Sequence, residues 1–303
     1  MRRIVSAWAF VQLTRPFFLL GAALVYGLGA AIAWSAGAPI DWGRYALGQA
    51  IVTLIQMMTH YANEYFDAES DRAIGANRTW FSGGSGVLPA GRLAPRVALH
   101  AARITALLAL VLITFAIAVE PAMSAIGLLA LLGGWFYSAP PLRLAGSGLG
   151  ELTTSLIVGL LAPLSGVLMQ RGPIDARLLA ASLPLVLINI AMLIVFEFPD
   201  FEADQSAGKR TLPVRIGRLR AAGLHGVLLI SAFVVVWIAV AAGRFDPHIA
   251  AWTLIVLPLI AWQAASVLWR AHRGWRSYGL MTAGSVSLFG LTTMTFLAGF
   301  LTG

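Results

Sequence analysis

The chain has no cysteine and a single lysine, Lys209, and its 303 residues include only 13 carboxylates. Without cysteine there is no disulfide framework, no zinc–thiolate site and no thiol nucleophile. Charged residues make up 11% of the sequence and hydrophobic ones 59%, whereas an ordinary soluble domain is about a quarter charged. A soluble fold of this length needs far more polar surface, so that class is excluded. The apolar–polar alternation over segments of about ten residues that marks a membrane β-barrel is also missing. What is present is a series of long apolar runs suited to helices in a bilayer. The net charge of +8 falls between those runs, which is a pattern of membrane topology and not of nucleic-acid binding.

A helix crosses a bilayer with about 20 mainly apolar residues. Nine runs qualify, at 17–35, 45–62, 97–118, 122–137, 149–169, 178–198, 221–241, 249–269 and 278–301. The fourth is short, and Glu120-Pro121 separates it from the third. With connections assigned to alternate sides, sixteen basic residues fall on one side and four on the other, with Arg103 inside a span. By the positive-inside rule the expectation is an all-α, nine-span bundle with a cytoplasmic N-terminus and the C-terminus on the opposite face. It forms one domain over 1–303 and resides in the inner or plasma membrane. Met1-Arg2-Arg3 resembles the start of a signal peptide, but Arg15 and Pro16 interrupt the apolar stretch, so no cleaved segment is expected. Two cytoplasmic connections, 63–96 and 199–220, are long. They are expected to form a cap, since long structured loops on one face are the usual place for function.

Eight of the 13 carboxylates lie in two windows: Glu64, Asp67, Glu69 and Asp71, then Glu197, Asp200, Glu202 and Asp204. Each window stands at the cytoplasmic end of an even-numbered span. Asp67 and Asp71 are four apart, as are Asp200 and Asp204, which places each pair on one helix face a turn apart. Asn63 extends the first row by another turn. Like charges at that spacing repel, and a divalent cation removes the repulsion. Mg²⁺ uses one or two carboxylates and takes other oxygens from water and phosphate. Asn63, Asp67, Asp71, Asp200 and Asp204 are therefore the candidate metal ligands and catalytic residues. The plainer alternative is a pair of solvated helix ends, and it is weakened by the repetition of the spacing in windows that hold most of the acid. Arg72 and Arg78 follow the first window, and Lys209 and Arg210 the second, where cations would stabilise charge on a leaving diphosphate. The competing explanation for them is the topology rule itself.

Asn63-x3-Asp67-x3-Asp71 resembles the NxxxDxxxD motif of the UbiA superfamily of intramembrane prenyltransferases, and Asp200-x3-Asp204 resembles its second DxxxD motif. The wording of 83–88 and 208–217, with Thr14-Arg15-Pro16 and the stretch from Tyr137 to Glu151, is similar to the branch that prenylates 1,4-dihydroxy-2-naphthoate for menaquinone. The similarity covers about the first 220 residues. Two departures stand out. Where several branches carry YxxxK, Tyr137 is followed at that spacing by Pro141, with Arg143 two further on. Phe196 stands four before Asp200, with Glu197 one residue out of register.

The resemblance implies nine spans and Mg²⁺-dependent transfer of a polyprenyl group from an allylic diphosphate to an aromatic acceptor. With the naphthoate, decarboxylation gives demethylmenaquinone. The site would open sideways to the bilayer, with residues 82–86 as a flexible part of the cap. Tyr137 and Arg143 are candidate substrate-binding residues, with Arg15 as a second candidate for holding an acceptor carboxylate. Asn189, polar inside the sixth span, needs either substrate or another helix as partner. Tyr65, Phe66, Trp135 and Tyr137 are candidates for shielding an allylic cation. His60 is a candidate base or a structural histidine. Other acceptors, such as 4-hydroxybenzoate or another lipid-quinone or pigment precursor, remain open. A transporter is disfavoured because its ionisable residues belong near mid-bilayer. A metal-dependent lipid phosphotransferase is a further alternative, which would attack phosphorus.

Overall fold

A computed structural model describes residues 2–273 and 278–302; Arg276, counted in the charge pattern, lies outside them. Every regular element in the described residues is a helix. Helix α1 (Arg2–Thr14), which has no counterpart in the sequence expectation, meets α2 (Pro16–Ser35) at Arg15. Arg15 has a left-handed backbone (φ 52°), and Pro16 starts the next helix because its fixed φ suits that position. Helix α3 (Trp42–Phe66) runs back and is followed by the short α4 (Ala68–Ile74). Helices α5 (Pro95–Ala116) and α6 (Pro121–Ser138) both open on proline. Helix α7 (Gly150–Leu156) passes through a widened π-turn at Ile157–Leu161 into α8 (Ala162–Met169). Pro163 there lacks an N–H to continue the α ladder. Helix α9 (Ala176–Glu197) leads to the short α10 (Phe201–Ser206) and α11 (Leu212–Ile216), then to α12 (Arg218–Ala241), α13 (Pro247–Thr253), α14 (Leu257–Arg273) and α15 (Gly279–Thr302).

Seven described segments are long and apolar enough to cross a membrane: Ala7–Ser35, Pro95–Ala116, Pro121–Ser138, Gly150–Met169, Ala176–Glu197, Arg218–Ala241 and Gly279–Thr302. The expected second and eighth spans are not among them. The second falls on α3, where Arg44, Gln49, Gln56, His60, Asn63 and Glu64 dilute the apolar run. The eighth is divided between α13 and α14 by a turn at 254–256.

The interior has two main apolar clusters. One joins α2, α9, α12 and α15 through residues such as Leu28, Leu185, Leu229 and Phe296. The other joins α3, α5 and α6 through Ile51, Met58, Ile113 and Met123. Helices α2 and α8 meet backbone to backbone. A Cβ on Gly29 would stand 1.9 Å from the Pro163 carbonyl oxygen, and one on Gly166 would stand 2.3 Å from that of Tyr26. Small residues give helices this approach where lipid offers no hydrophobic drive to pack.

The end of the bundle remote from the acidic windows is fastened by Arg44, which is 9% exposed. Its Nε donates to Met169 O (2.6 Å), Nη1 to Val119 O (2.9 Å) and Nη2 to Glu120 Oε2 (3.0 Å). One guanidinium thus ties the start of α3 to the α5–α6 turn and to the end of α8, whose last carbonyls have no partner within their own helix.

Candidate active site

The first acidic row straddles the junction of α3 and α4. The Asp67 N–H donates to Asn63 O (2.9 Å) and the Asp71 N–H to Asp67 O (2.8 Å), so the one-turn register survives the break at Asp67. Asn63 Nδ2 donates to Asp67 Oδ2 (2.5 Å) and to Ser138 Oγ (3.0 Å), and Ser138 Oγ donates to the same Asp67 oxygen (2.7 Å). The second row follows α9: Asp200 precedes α10, and the Asp204 N–H donates to Asp200 O at 2.7 Å. Helix α10 packs on α4, which brings the rows together. Lys209 Nζ joins them, donating to Asp67 Oδ1 and Ser70 Oγ at 2.9 Å each and lying 3.6 Å from Asp204 Oδ1.

Backbone bonds aim that lysine. Its N–H donates to Asp204 O (2.9 Å), and the Arg210 N–H donates to Gly146 O (2.8 Å). The Leu212 N–H donates to Oε1 of the buried Glu151 at 2.6 Å. On the other row, the connection after α4 is pinned to α3. Glu64, 1% exposed, accepts from Arg15 Nε (3.0 Å) and Nη2 (2.5 Å), and from the N–H (2.5 Å) and Oγ (2.8 Å) of Ser85. Gly84 (φ 71°) lies against Asp71, where a Cβ would stand 2.1 Å from Oδ2. Residues 82–86 are therefore not the loose segment expected, because a buried carboxylate and close backbone packing hold them.

Burial, then the neighbouring Asp67, pushes the Asp71 carboxyl up to about 7. Burial raises Asp204 to about 6 against the opposing pull of Lys209. Burial and then Asp204 hold Asp200 well above the usual carboxylate range. For Lys209, burial disfavours the charge, but Asp67 and Asp204 outweigh it and the ammonium is held above its ordinary value. Among the described residues no donor reaches the buried Asp71 Oδ2 or Asp200 Oδ1. Buried carboxyl oxygens without partners are costly, and a cation would satisfy them. No three carboxylate or imidazole groups among the described residues converge into a closed metal cage. Two facing rows with Lys209 between them instead suit a hard cation that completes its shell from water and diphosphate.

A cavity of about 390 Å³ opens beside the rows, lined among others by Phe66, Asp67, Tyr137, Ser138, Arg143 and Lys209. Of the expected substrate contacts, it brings together Tyr137, Arg143 and Lys209, but not four others. Arg72 and Arg210 are exposed outside it. Arg78 donates to Gly83 O (2.7 Å) and Asp71 O (2.9 Å), so its guanidinium is committed to the loop. Asn189 is 2% exposed and accepts from Ser155 Oγ at 2.9 Å, a partner on the neighbouring helix. His60 Nδ1 lies 3.0 Å from Thr14 O, a structural bond. Arg15 is engaged by Glu64 and also donates to Asn63 Oδ1 at 3.3 Å. The sequence reading passed over Ser138, Glu64 and Glu151 as site residues. Ser138 adjoins a chosen tyrosine and Glu64 lies inside the first motif, so both had a local signal.

A family profile described as the UbiA prenyltransferase family matches residues 23–286. The chain belongs to this family. Among UbiA-family relatives, it is 31% identical over 186 residues to digeranylgeranylglyceryl phosphate synthase of Pyrococcus abyssi, covering 60% of this chain and 61% of that protein. It is 30% identical over 201 residues to 1,4-dihydroxy-2-naphthoate octaprenyltransferase of Mycobacterium tuberculosis, covering 65% and 66%. The matches thus span just under two thirds of these relatives' own lengths. In fold it is similar to a UbiA homolog from Archaeoglobus fulgidus solved with DMAPP and Mg²⁺, with a TM-score of 0.69 at 21% identity over 96% of this chain and 97% of that one.

Proposed function

We propose that this protein is a Mg²⁺-dependent intramembrane prenyltransferase that moves a polyprenyl group from an allylic diphosphate to 1,4-dihydroxy-2-naphthoate. The observation that carries the proposal is Lys209 joining two acidic rows with unpartnered buried oxygens beside a cavity. Asn63, Asp67, Asp71, Asp200 and Asp204 would hold the metal. Magnesium, when bound, supplies Lewis-acid neutralisation of the diphosphate. Lys209 binds a non-bridging diphosphate oxygen and stabilises the leaving group. Tyr137 and Phe66 wall the cavity, and Arg143 orients the acceptor's carboxylate. The allylic C–O bond breaks with its electron pair going to diphosphate. The ring carbon forms the new C–C bond, and loss of CO₂ from that carbon restores aromaticity.

The charge distribution supports nine spans, counting α3 and the divided α13–α14 segment. It favours a cytoplasmic N-terminus with both rows at the cytoplasmic face and the connections after α3 and α9 as the cap. A transporter remains disfavoured, because eight of the 13 carboxylates cluster at one end of the bundle.

A second reading is favoured by the 31% identity to the archaeal synthase: the acceptor is a glyceryl phosphate lipid, and Arg143 with Lys209 then faces two phosphate groups. Purified protein with Mg²⁺ and radiolabelled prenyl diphosphates, given the naphthoate, 4-hydroxybenzoate or geranylgeranylglyceryl phosphate, separates the readings. Diphosphate release with a C-prenylated naphthoate is the expected result. A prenyl ether of the lipid selects the second reading, inorganic phosphate or a phosphoryl-transfer product indicates a phosphotransferase, and no product across the panel refutes all three.

A further inference from the structure

A further pair of carboxyl groups, outside both four-residue rows, stands behind Lys209. Glu151 lies in the first turn of α7 and is 3% exposed. Glu197 ends α9, three residues before Asp200 and one residue out of the register that Asp200 and Asp204 share. The two side chains hydrogen-bond to one another, which requires one proton between them. The Oε2 atom of each is buried, where an unshared charge is costly.

Residues 209–212 form a short strap between α10 and α11, and three of its N–H groups are fixed. Lys209 N–H donates to Asp204 O (2.9 Å), Arg210 N–H to Gly146 O (2.8 Å) and Leu212 N–H to Glu151 Oε1 (2.6 Å). The first two acceptors are backbone atoms that any residue supplies. Glu151 is the side chain among them, and it acts from 61 residues away. The strap also lies tight on the connection after α6. Gly148 there has φ 74°, and a Cβ on it would stand 2.9 Å from Arg210 O. The backbone that carries Lys209 is thus held by the second acidic row on one side and by the start of α7 on the other.

Burying two carboxyl groups gives no advantage in stability over apolar side chains of similar size. What the pair supplies is direction: Glu197 holds the Glu151 carboxyl, and Glu151 holds the strap. A lysine ammonium rides on a flexible four-carbon stem. Its place 2.9 Å from Asp67 Oδ1 and 3.6 Å from Asp204 Oδ1 therefore depends on where its own backbone stands. We propose that Glu151 and Glu197 are positioning residues that set Lys209 between the two acidic rows, and that Glu197 is no part of the metal set. The proposal rests on the prenyl-transfer reading above, in which Lys209 meets the diphosphate.

The test measures binding of geranyl thiodiphosphate with Mg²⁺ to the full chain in phospholipid nanodiscs. Glu151→Ala and Glu197→Ala should each weaken it about tenfold, the worth of one misplaced charge-assisted bond. Glu151→Gln should stay within about twofold of wild type, since its Oε1 still accepts from Leu212 N–H and its amide still reaches Glu197. A double-mutant cycle separates positioning from general loosening. In a Lys209→Met background neither alanine change should weaken binding further, because both act through the lysine. Leu212→Pro removes the same hydrogen bond from its donor side, at the first position of α11 where proline is tolerated. It should match Glu151→Ala, and it serves if that variant does not fold. Wild-type affinity in folded Glu151→Ala, Glu197→Ala or Leu212→Pro overturns the proposal. So does Glu151→Gln binding as weakly as Glu151→Ala, or an equal further loss in the Lys209→Met background. A wild type that fails to bind with Mg²⁺ removes the prenyl-transfer reading itself, an outcome distinct from a binding wild type with equally binding variants.

Discussion

The two ends of the bundle handle buried charge in opposite ways. At one end Arg44 is nearly enclosed and its guanidinium donates to three backbone carbonyls and Glu120. At the other, eight carboxylates crowd into two windows, and oxygens of Asp71 and Asp200 stay buried without a donor. A charge saturated by fixed partners can contribute to folding, whereas one left partly unsatisfied awaits something from outside the chain. Arg44 is accordingly assigned to architecture and the acidic rows to ligand binding, although both are buried ionisable groups at helix ends.

The largest expected effect breaks this comparison at the acidic end. Asp67→Ala and Asp200→Ala should each lower the rate of diphosphate release by about 10³-fold or more, as loss of preorganised charge stabilisation does. Thermal unfolding of Asp200→Ala should be unchanged or improved, because a repelling carboxyl without a donor is gone, whereas Asp67→Ala should unfold at a lower temperature, because Asn63, Ser138 and Lys209 lose their acceptor. Lys209→Met should weaken prenyl diphosphate binding by about 10–100-fold, the worth of one charge-assisted bond, read from the substrate dependence of the rate. At the opposite end the pattern inverts. Arg44→Ala leaves Glu120 and three carbonyls without their partner and should cost about 3 kcal/mol of stability, measured by unfolding in detergent. The rate per folded molecule should match wild type.

The smallest effect concerns protons. Burial pushes Asp71 up to about 7 and Asp204 up to about 6 in the metal-free protein, above their unfolded values. A carboxylate with a raised folded pKa binds its proton more tightly when folded, so the metal-free wild type should gain stability relative to an Asp71→Asn, Asp204→Asn variant as pH falls from 8 to 5.5. Mg²⁺ competes for the same oxygens, and its affinity should decline over that window. Melting curves at the two pH values, with and without Mg²⁺, check both signs.

The acidic rows were legible because four-residue spacing is a helical neighbour relation that a linear sequence displays. The apolar runs were legible for a similar reason, and seven of the nine expected segments coincide with helices that qualify as spans. Relations between distant residues were not. Lys209 was singled out as the lone lysine, but its contact with Asp67, 142 residues away, has no periodicity to reveal it. The same limit hid the bonds of Arg78 to two carbonyls and of Asn189 to Ser155, which engage both within the protein. Glu151 and Glu197 look like unrelated carboxylates in their own segments, and only the fold pairs them.

The central claim is that both rows act together on one metal–diphosphate unit. Equilibrium binding of a non-hydrolysable geranyl thiodiphosphate to the purified protein, with Mg²⁺ and with EDTA, tests it most directly in wild type, Asp67→Asn and Asp200→Asn. The account predicts Mg²⁺-dependent binding to wild type and its loss in both variants. Wild-type affinity in either variant, or equal binding in EDTA, would contradict it.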